Sequence, residues 1–161
     1  MSKVILALDL SLSSTGYAVA NVSKGNIELI EVGHINNKKH AKKSQAYRLH
    51  RIASVLKDIY RKHPIEIVVK EKGFSKGHIS TQALFKVAGV ADLMSFSFGH
   101  DNIAELTPAQ VKKAVTKNGK ASKDEVAVAL AKYVGERDYV TDDESDAVAV
   151  LVAHCLKESL I

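Results

Sequence analysis

Four carboxylates in this chain sit where carboxylates are costly. Asp9 closes the apolar run Val4-Ile5-Leu6-Ala7-Leu8, and Glu71 ends the run that begins at Ile65, one lysine after Val69. Asp143 and Asp146 stand just before Ala147 to Leu156, which is nearly all apolar. An acid at the mouth of a buried segment needs a compensating charge or hydrogen bonds. Asp143 and Asp146 are three residues apart, so a helix presents them on one face, where they repel unless a cation lies between them. Hard oxygen donors without clustered histidine or cysteine select Mg²⁺, or Mn²⁺ in its place, over zinc. Asp9, Glu71, Asp143 and Asp146 as metal ligands suit two-ion phosphoryl chemistry, with one ion at the attacking water and one at the leaving 3′ oxygen. Each acid also has a reading without chemistry. Asp9 can cap the Ser11–Gly16 turn that follows it. Asp142, Asp143 and Glu144 complement the dipole of a helix start. His154, about two turns after Asp146, either joins the acids or serves packing. The serines near Asp9 have no evident histidine partner, so no nucleophilic triad emerges.

The surroundings of these acids are basic. Lysine and arginine number 23 against 18 acids, a net charge of +5, which points to a polyanionic partner. Lys112, Lys113, Lys117, Lys120 and Lys123 fall within one stretch of the chain. Lys72 and Lys76 flank Phe74, itself held between Gly73 and Gly77. Phe74 is either a core residue or an aromatic that stacks on, or wedges between, bases. The lone Cys155 lies in an apolar stretch and reads as a buried thiol of a reducing cytosol. The start MSKVILALDL lacks the form of a signal peptide, and no apolar run nears the roughly 18 residues that span a bilayer. A length of 161 residues suits one domain with a real core.

The elements that must position the acids follow from periodicity. Val4–Leu8, Gly16–Val22 and Ile27–His34 read as three strands in an antiparallel meander, with a hairpin turn at Ser23-Lys24-Gly25-Asn26. Gln45 to Lys62 carries an apolar stripe at helical spacing, and Pro64 closes it. Ile65–Val69 is a buried central strand. Thr81–Met94 reads as a helix whose small and apolar face (Ala83, Leu84, Val87, Ala88, Ala91) either packs on the sheet or forms a dimer seam. Asn102–Leu106 is a short strand, and Thr107-Pro108 opens a helix to Val115. Ser122 and Glu125 form a capping box for the helix Lys123–Tyr133. With Lys120 and Lys123 beside it, that helix start is either a phosphate site or a plain connection.

Together the motifs LDLSLSSTG, VVKEKGF, PAQVKKAVTKNGKASKDEV and DDESDAVAVLVAH, in this order, resemble the RuvC Holliday-junction resolvases over nearly the whole chain. The resemblance implies an α/β, RNase H-like fold with a five-stranded mixed sheet flanked by helices on both faces. It also implies a homodimer that nicks four-way or other branched DNA in symmetric pairs with Mg²⁺. Asp9, Glu71, Asp143 and Asp146 match the family's catalytic acids. Lys112 and Lys123 match its catalytically important basic residues, and Phe74 matches the aromatic that inserts at the junction. Lys70 departs from the family's apolar residue before the second acid, and Lys72-Gly73 alters the loop that presents Phe74. The compact length points to a phage-borne member acting in the host cytoplasm. A two-fold dimer also follows from the need for two symmetric cuts. Competing classes are a branched-DNA-binding module without cleavage, an actin-like ATPase or kinase fragment, and a ribonuclease H.

Overall fold

The structure is a computed structural model; it describes residues 1–73 and 77–161, apart from the side chains of residues 78 and 79. Phe74 and Lys76 therefore lie outside the described residues. The chain begins with the expected meander: β1 (Lys3–Asp9), β2 (Ser14–Ser23) and β3 (Asn26–Asn36). After a 3₁₀ turn at Lys38–His40 come α1 (Gln45–Lys62), β4 (Ile67–Glu71), α2 (His78–Ser97) and β5 (Ala104–Leu106). Three helices follow: α3 (Pro108–Thr116), α4 (Lys123–Val134) and α5 (Asp142–Lys157).

The five strands form one mixed sheet in the order β3-β2-β1-β4-β5. β1 pairs antiparallel with β2 and parallel with β4, so the two strands that end in acids are neighbours running the same way. Their register sets Leu8 opposite Lys70, and Asp9 and Glu71 come one step later. Strand alternation sorts the side chains into two cores. Leu6, Leu8 and Val68 join Ile52 and Leu56 of α1 and Val87 and Ala91 of α2 on one face. Ile5, Ala7 and Val69 join α3, α4 and α5 on the other, where Val148, Val150, Leu151 and Val152 are fully buried. Asp9 and Glu71 share the parity of Ala7 and Val69, so they point toward the α3–α5 layer. Cys155 is buried among these residues, and burial pushes its thiol up to about 12.

Several boundaries differ from the sequence expectation, those of β4 and α2 among them. β4 starts at Ile67 rather than Ile65, because Ile65 closes a turn onto the His63 carbonyl before pairing begins with Glu66 on Val4. α2 runs a turn further at its C-terminal end, to Ser97. The small and apolar face of α2 packs on its own sheet through Val87, Ala91 and Leu84, so it is no free seam. The opposite face exposes Phe85, Leu93 and Phe96, with Gly89 open between them.

Candidate active site

Asp9 and Glu71 project from adjacent strand ends, and α5 brings its first turn over them. That approach needs Gly16, which pairs with Asp9 across β1 and β2. A β-carbon at Gly16 would overlap the backbone carbonyl of Asp143. The helix start is then held by long-range bonds. The Ser14 hydroxyl donates to Asp143 Oδ2 at 2.6 Å. The backbone N–H of Val140 donates to Glu144 Oε2 at 2.9 Å, and Glu144 Oε1 lies 2.9 Å from His34 Nδ1. Glu144 is buried, so these partners meet the cost of enclosing its carboxyl group. Thr141, at the N-cap position, makes no capping bond with its side chain.

The electrostatics show that the four acids share one neighbourhood. Burial, reinforced by Asp146, Glu71 and Asp143, pushes the Asp9 carboxyl up to about 8. Burial and Asp146 push Glu71 up to about 7, against the pull of Lys112 and Lys123. Asp146 is raised as well, first by burial, with Lys123 opposing. Three carboxyl groups that resist ionisation side by side are an unsatisfied demand for positive charge. Two lysines answer part of it. Lys123 Nζ stands 3.6 Å from Asp142 Oδ2 and 3.7 Å from Asp146 Oδ2, and these acids hold its ammonium above the usual lysine range, Asp146 most of all. Lys112 joins Glu71, Lys123, Asp142 and Asp146 around a cavity of about 280 Å³. The donor set is all oxygen, which fits a hard divalent cation. No three acid, histidine or cysteine side chains among the described residues close into a ready-made cage. The fit is one of charge and donor chemistry.

The remaining predicted residues divide. Lys113, one residue from Lys112, faces a separate cavity with Leu106, Gln110 and Lys117, away from the acids. Lys117 caps α3 in the left-handed region (φ 65°), and Lys117 and Lys120 are exposed on the turn toward α4. Lys72 is exposed just beyond Glu71, its N–H bonded to the Leu106 carbonyl. Lys70 belongs to no basic patch: it points to the opposite face, buried, with Asp92 Oδ1 at 2.7 Å and Glu105 Oε1 at 3.5 Å. His154 is buried in the α5 core; burial keeps it below the usual histidine range, and the charges that act on it are Glu158 and Lys157 rather than the acids. Sequence reasoning passed over Ser14, Gly16 and the pair His34–Glu144. Their contacts span more than a hundred residues, and the only local hint was one more acid in a helix start that burial had to accommodate.

Comparison with known proteins bears on the family and the fold. The family model described as "Crossover junction endodeoxyribonuclease RuvC" matches residues 5–154. A RuvC of Campylobacter jejuni is 32% identical over 152 residues, covering 93% of this chain and 94% of its own. A RuvC of Ehrlichia ruminantium is 30% identical over 153 residues, with 93% and 94% covered. In fold, the chain superposes on Thermus thermophilus RuvC, in a structure described as a complex with Holliday junction substrate. The TM-score is 0.89 at 20% identity, covering 97% of this chain and 94% of the other. Another Thermus thermophilus RuvC structure gives 0.85 at 21% identity, with 97% and 95% covered. The sheet order, the helices on both faces and these likenesses make the fold RNase H-like, and the chain belongs to the RuvC family of crossover junction endodeoxyribonucleases.

Proposed function

We propose that this protein resolves Holliday junctions, and acts on related branched DNA, by metal-dependent paired nicking of phosphodiester bonds. The observation that supports it most is the gathering of Asp9, Glu71 and Asp146 into mutual repulsion, with Lys112 and Lys123 at the rim. Asp9, Glu71, Asp143 and Asp146 would hold Mg²⁺ or Mn²⁺, two ions for each site. Bound there, the metal supplies an activated water and a charge that stabilises the leaving 3′ oxygen. The chain's own residues do the rest. Asp9, Glu71 and Asp146 must surrender their protons before they can ligate, and because their values are raised an arriving cation favours that loss. Ser14 orients Asp143 through its donated hydrogen bond. Lys112 and Lys123 face a phosphate approaching the acids and offset its charge as it gains electron density. Hydrolysis breaks the P–O3′ bond, leaving a 5′-phosphate and a 3′-hydroxyl.

Lys72, Lys76, Lys113, Lys117 and Lys120 contact DNA outside the site in this reading, and Phe74 enters the crossover. Lys113 and Lys117, turned from the acids, suit the flanking arm rather than the cut. The 161 residues act as one nuclease domain, a reading supported by the single sheet that both cores share. Two such domains form a homodimer, and the exposed stripe of Phe85, Gly89, Leu93 and Phe96 on α2 suits a two-fold seam. Action in the cytoplasm agrees with a free buried thiol. No helix among the described residues is long and apolar enough to cross a membrane. A module that only binds DNA would gain nothing from concentrating negative charge beside phosphates.

The test incubates the protein and its Asp9→Asn variant with a labelled mobile four-way junction, a fork and a duplex in Mg²⁺. Paired symmetric nicks by the wild type alone, with binding kept in the variant, support the proposal. Tight binding without cutting in Mg²⁺ and Mn²⁺ leaves the binding module. Phe85→Glu with Leu93→Glu should sediment as a monomer and lose paired nicking.

A further inference from the structure

On the α1 side of Asp9 lies a second cavity, of about 410 Å³, lined by Ser11, Ser13, Arg48 and Gly73 as well as by Asp9 and Glu71. Among the described residues that line it, Arg48 is the one cation. The guanidinium of Arg48 makes no hydrogen bond or ion pair with the described residues, and its Nε is buried without a partner. Leaving such a donor enclosed and unmatched is costly. Although Arg48 lines the same cavity as Asp9 and Glu71, neither acid is within ion-pair distance of it. The cation is thus withheld from the acids beside it.

Its placement is built rather than incidental. Asn37 is 1% exposed and its side-chain amide donates to the Leu12 carbonyl at 3.0 Å and to the Arg48 carbonyl at 3.1 Å. The Asn37 N–H donates to the Ser13 carbonyl at 2.9 Å, and Arg51 Nε donates to Asn37 Oδ1 at 2.8 Å. One buried amide therefore pins α1 at Arg48 to the turn that follows Asp9. Within that turn, the fully buried Thr15 hydroxyl donates to the Ser11 carbonyl at 2.6 Å, and the Ser11 and Ser13 hydroxyls lie 3.1 Å apart. The wall presents two hydroxyls and a guanidinium carried on a pinned stretch of helix backbone, a donor set matched to the oxygens of a phosphate diester.

We propose that Arg48, with Ser11 and Ser13, forms a phosphate subsite that holds a backbone phosphate neighbouring the scissile one. Arg48 positions the strand rather than taking part in bond cleavage. The subsite rests on the nuclease reading above and extends it, because it fixes which side of the acids the cut strand runs along. A cation in the acid cluster lowers the repulsion that Asp9 and Glu71 would exert on a phosphate seated there.

The experiment uses the full-length protein and a set of four-way junctions, each with one neutral methylphosphonate linkage at a different position near the cut. Arg48→Met keeps the aliphatic stem, and Arg48→Lys keeps the charge without the fork. The expected result is that Arg48→Met raises KM about tenfold at an unchanged melting temperature, with the salt slope of binding reduced by about one. Arg48→Lys recovers only part of the loss. One linkage beside the cut should cost the wild type the same tenfold and cost Arg48→Met nothing more. Equal penalties for wild type and variant at every linkage, or an Arg48→Met that cuts as the wild type does, would overturn the subsite. If the wild type binds junctions in Ca²⁺ but never cuts them in Mg²⁺ or Mn²⁺, the nuclease reading fails instead. The same linkage comparison, read in affinity, then still decides the subsite.

Discussion

Lys70 and Glu71 are consecutive residues of one strand, and the sheet treats them in opposite ways. Lys70 turns toward α2 and is buried, but Asp92 and Glu105 neutralise it. Glu71 turns toward α5, where burial and then Asp146 raise the cost of its charge, and it in turn raises that of Asp9. Both are charged groups at the edge of a core. The first is matched within the fold, so its contribution is to packing and to the seating of α2. The second is mismatched, and only something from outside the chain completes it. Matched burial marks structure in this protein, and mismatched burial marks the site.

Removing a charge from each side breaks the comparison most sharply. Glu71→Gln should lower the rate of junction cleavage about a thousandfold while leaving the junction affinity near that of the wild type, measured in single-turnover reactions and in Ca²⁺ binding. An undiminished rate would remove Glu71 from the site. Gly16→Ala acts on the same side by sterics. Its methyl group drives the Asp143 carbonyl and the start of α5 away, so cleavage should fall about a hundredfold with about 3 kcal/mol of stability lost in urea unfolding. On the matched side, Asp92→Ala leaves the buried Lys70 ammonium with Glu105 alone. It should cost about 2 kcal/mol and leave cleavage within a few-fold of wild type.

The smallest effect is a pH dependence. Asp9 at about 8 and Glu71 at about 7 hold protons in the native, metal-free protein that the unfolded chain releases above pH 4 to 5. The native state binds more protons in that window, so stability falls as pH rises through it. The melting temperature of metal-free protein should drop by a few degrees between pH 5 and pH 8. Asp9→Asn should flatten that drop, and Mg²⁺ should reverse it at pH 8. An equal slope in the Asp9→Asn variant would show that Asp9 does not hold a proton in that window.

Much of this was legible before the structure. An unbroken apolar run ending in Asp9 and a nearly continuous one shortly before Glu71 declared central strands with charged mouths, and spacing of three declared the shared face of Asp143 and Asp146. The capping box at Ser122 and Glu125 placed the start of α4 to the residue. Lys113 could have been set aside from sequence too, since it follows Lys112 and the two cannot share a helix face. The partners of Lys70 could not, because Asp92 lies 22 residues away and Glu105 meets it only across paired strands. The same holds for Ser14, which finds Asp143 across 129 residues. Short-range patterns name the element that carries a residue; they are silent on which distant group closes over it.

That bond between Ser14 and Asp143 has a temporal side. Every strand of the sheet, and so two of the four acids, is synthesised before α5 exists. At 5–20 residues per second, the ribosome takes roughly 4–14 seconds to travel from Glu71 to Asp142. For that interval the emerging polypeptide carries half an acid cluster and no Asp143 for Ser14 to hold. A protein built to break DNA backbones is thereby inert throughout its own birth, and becomes armed in the same step that buries its last core helix.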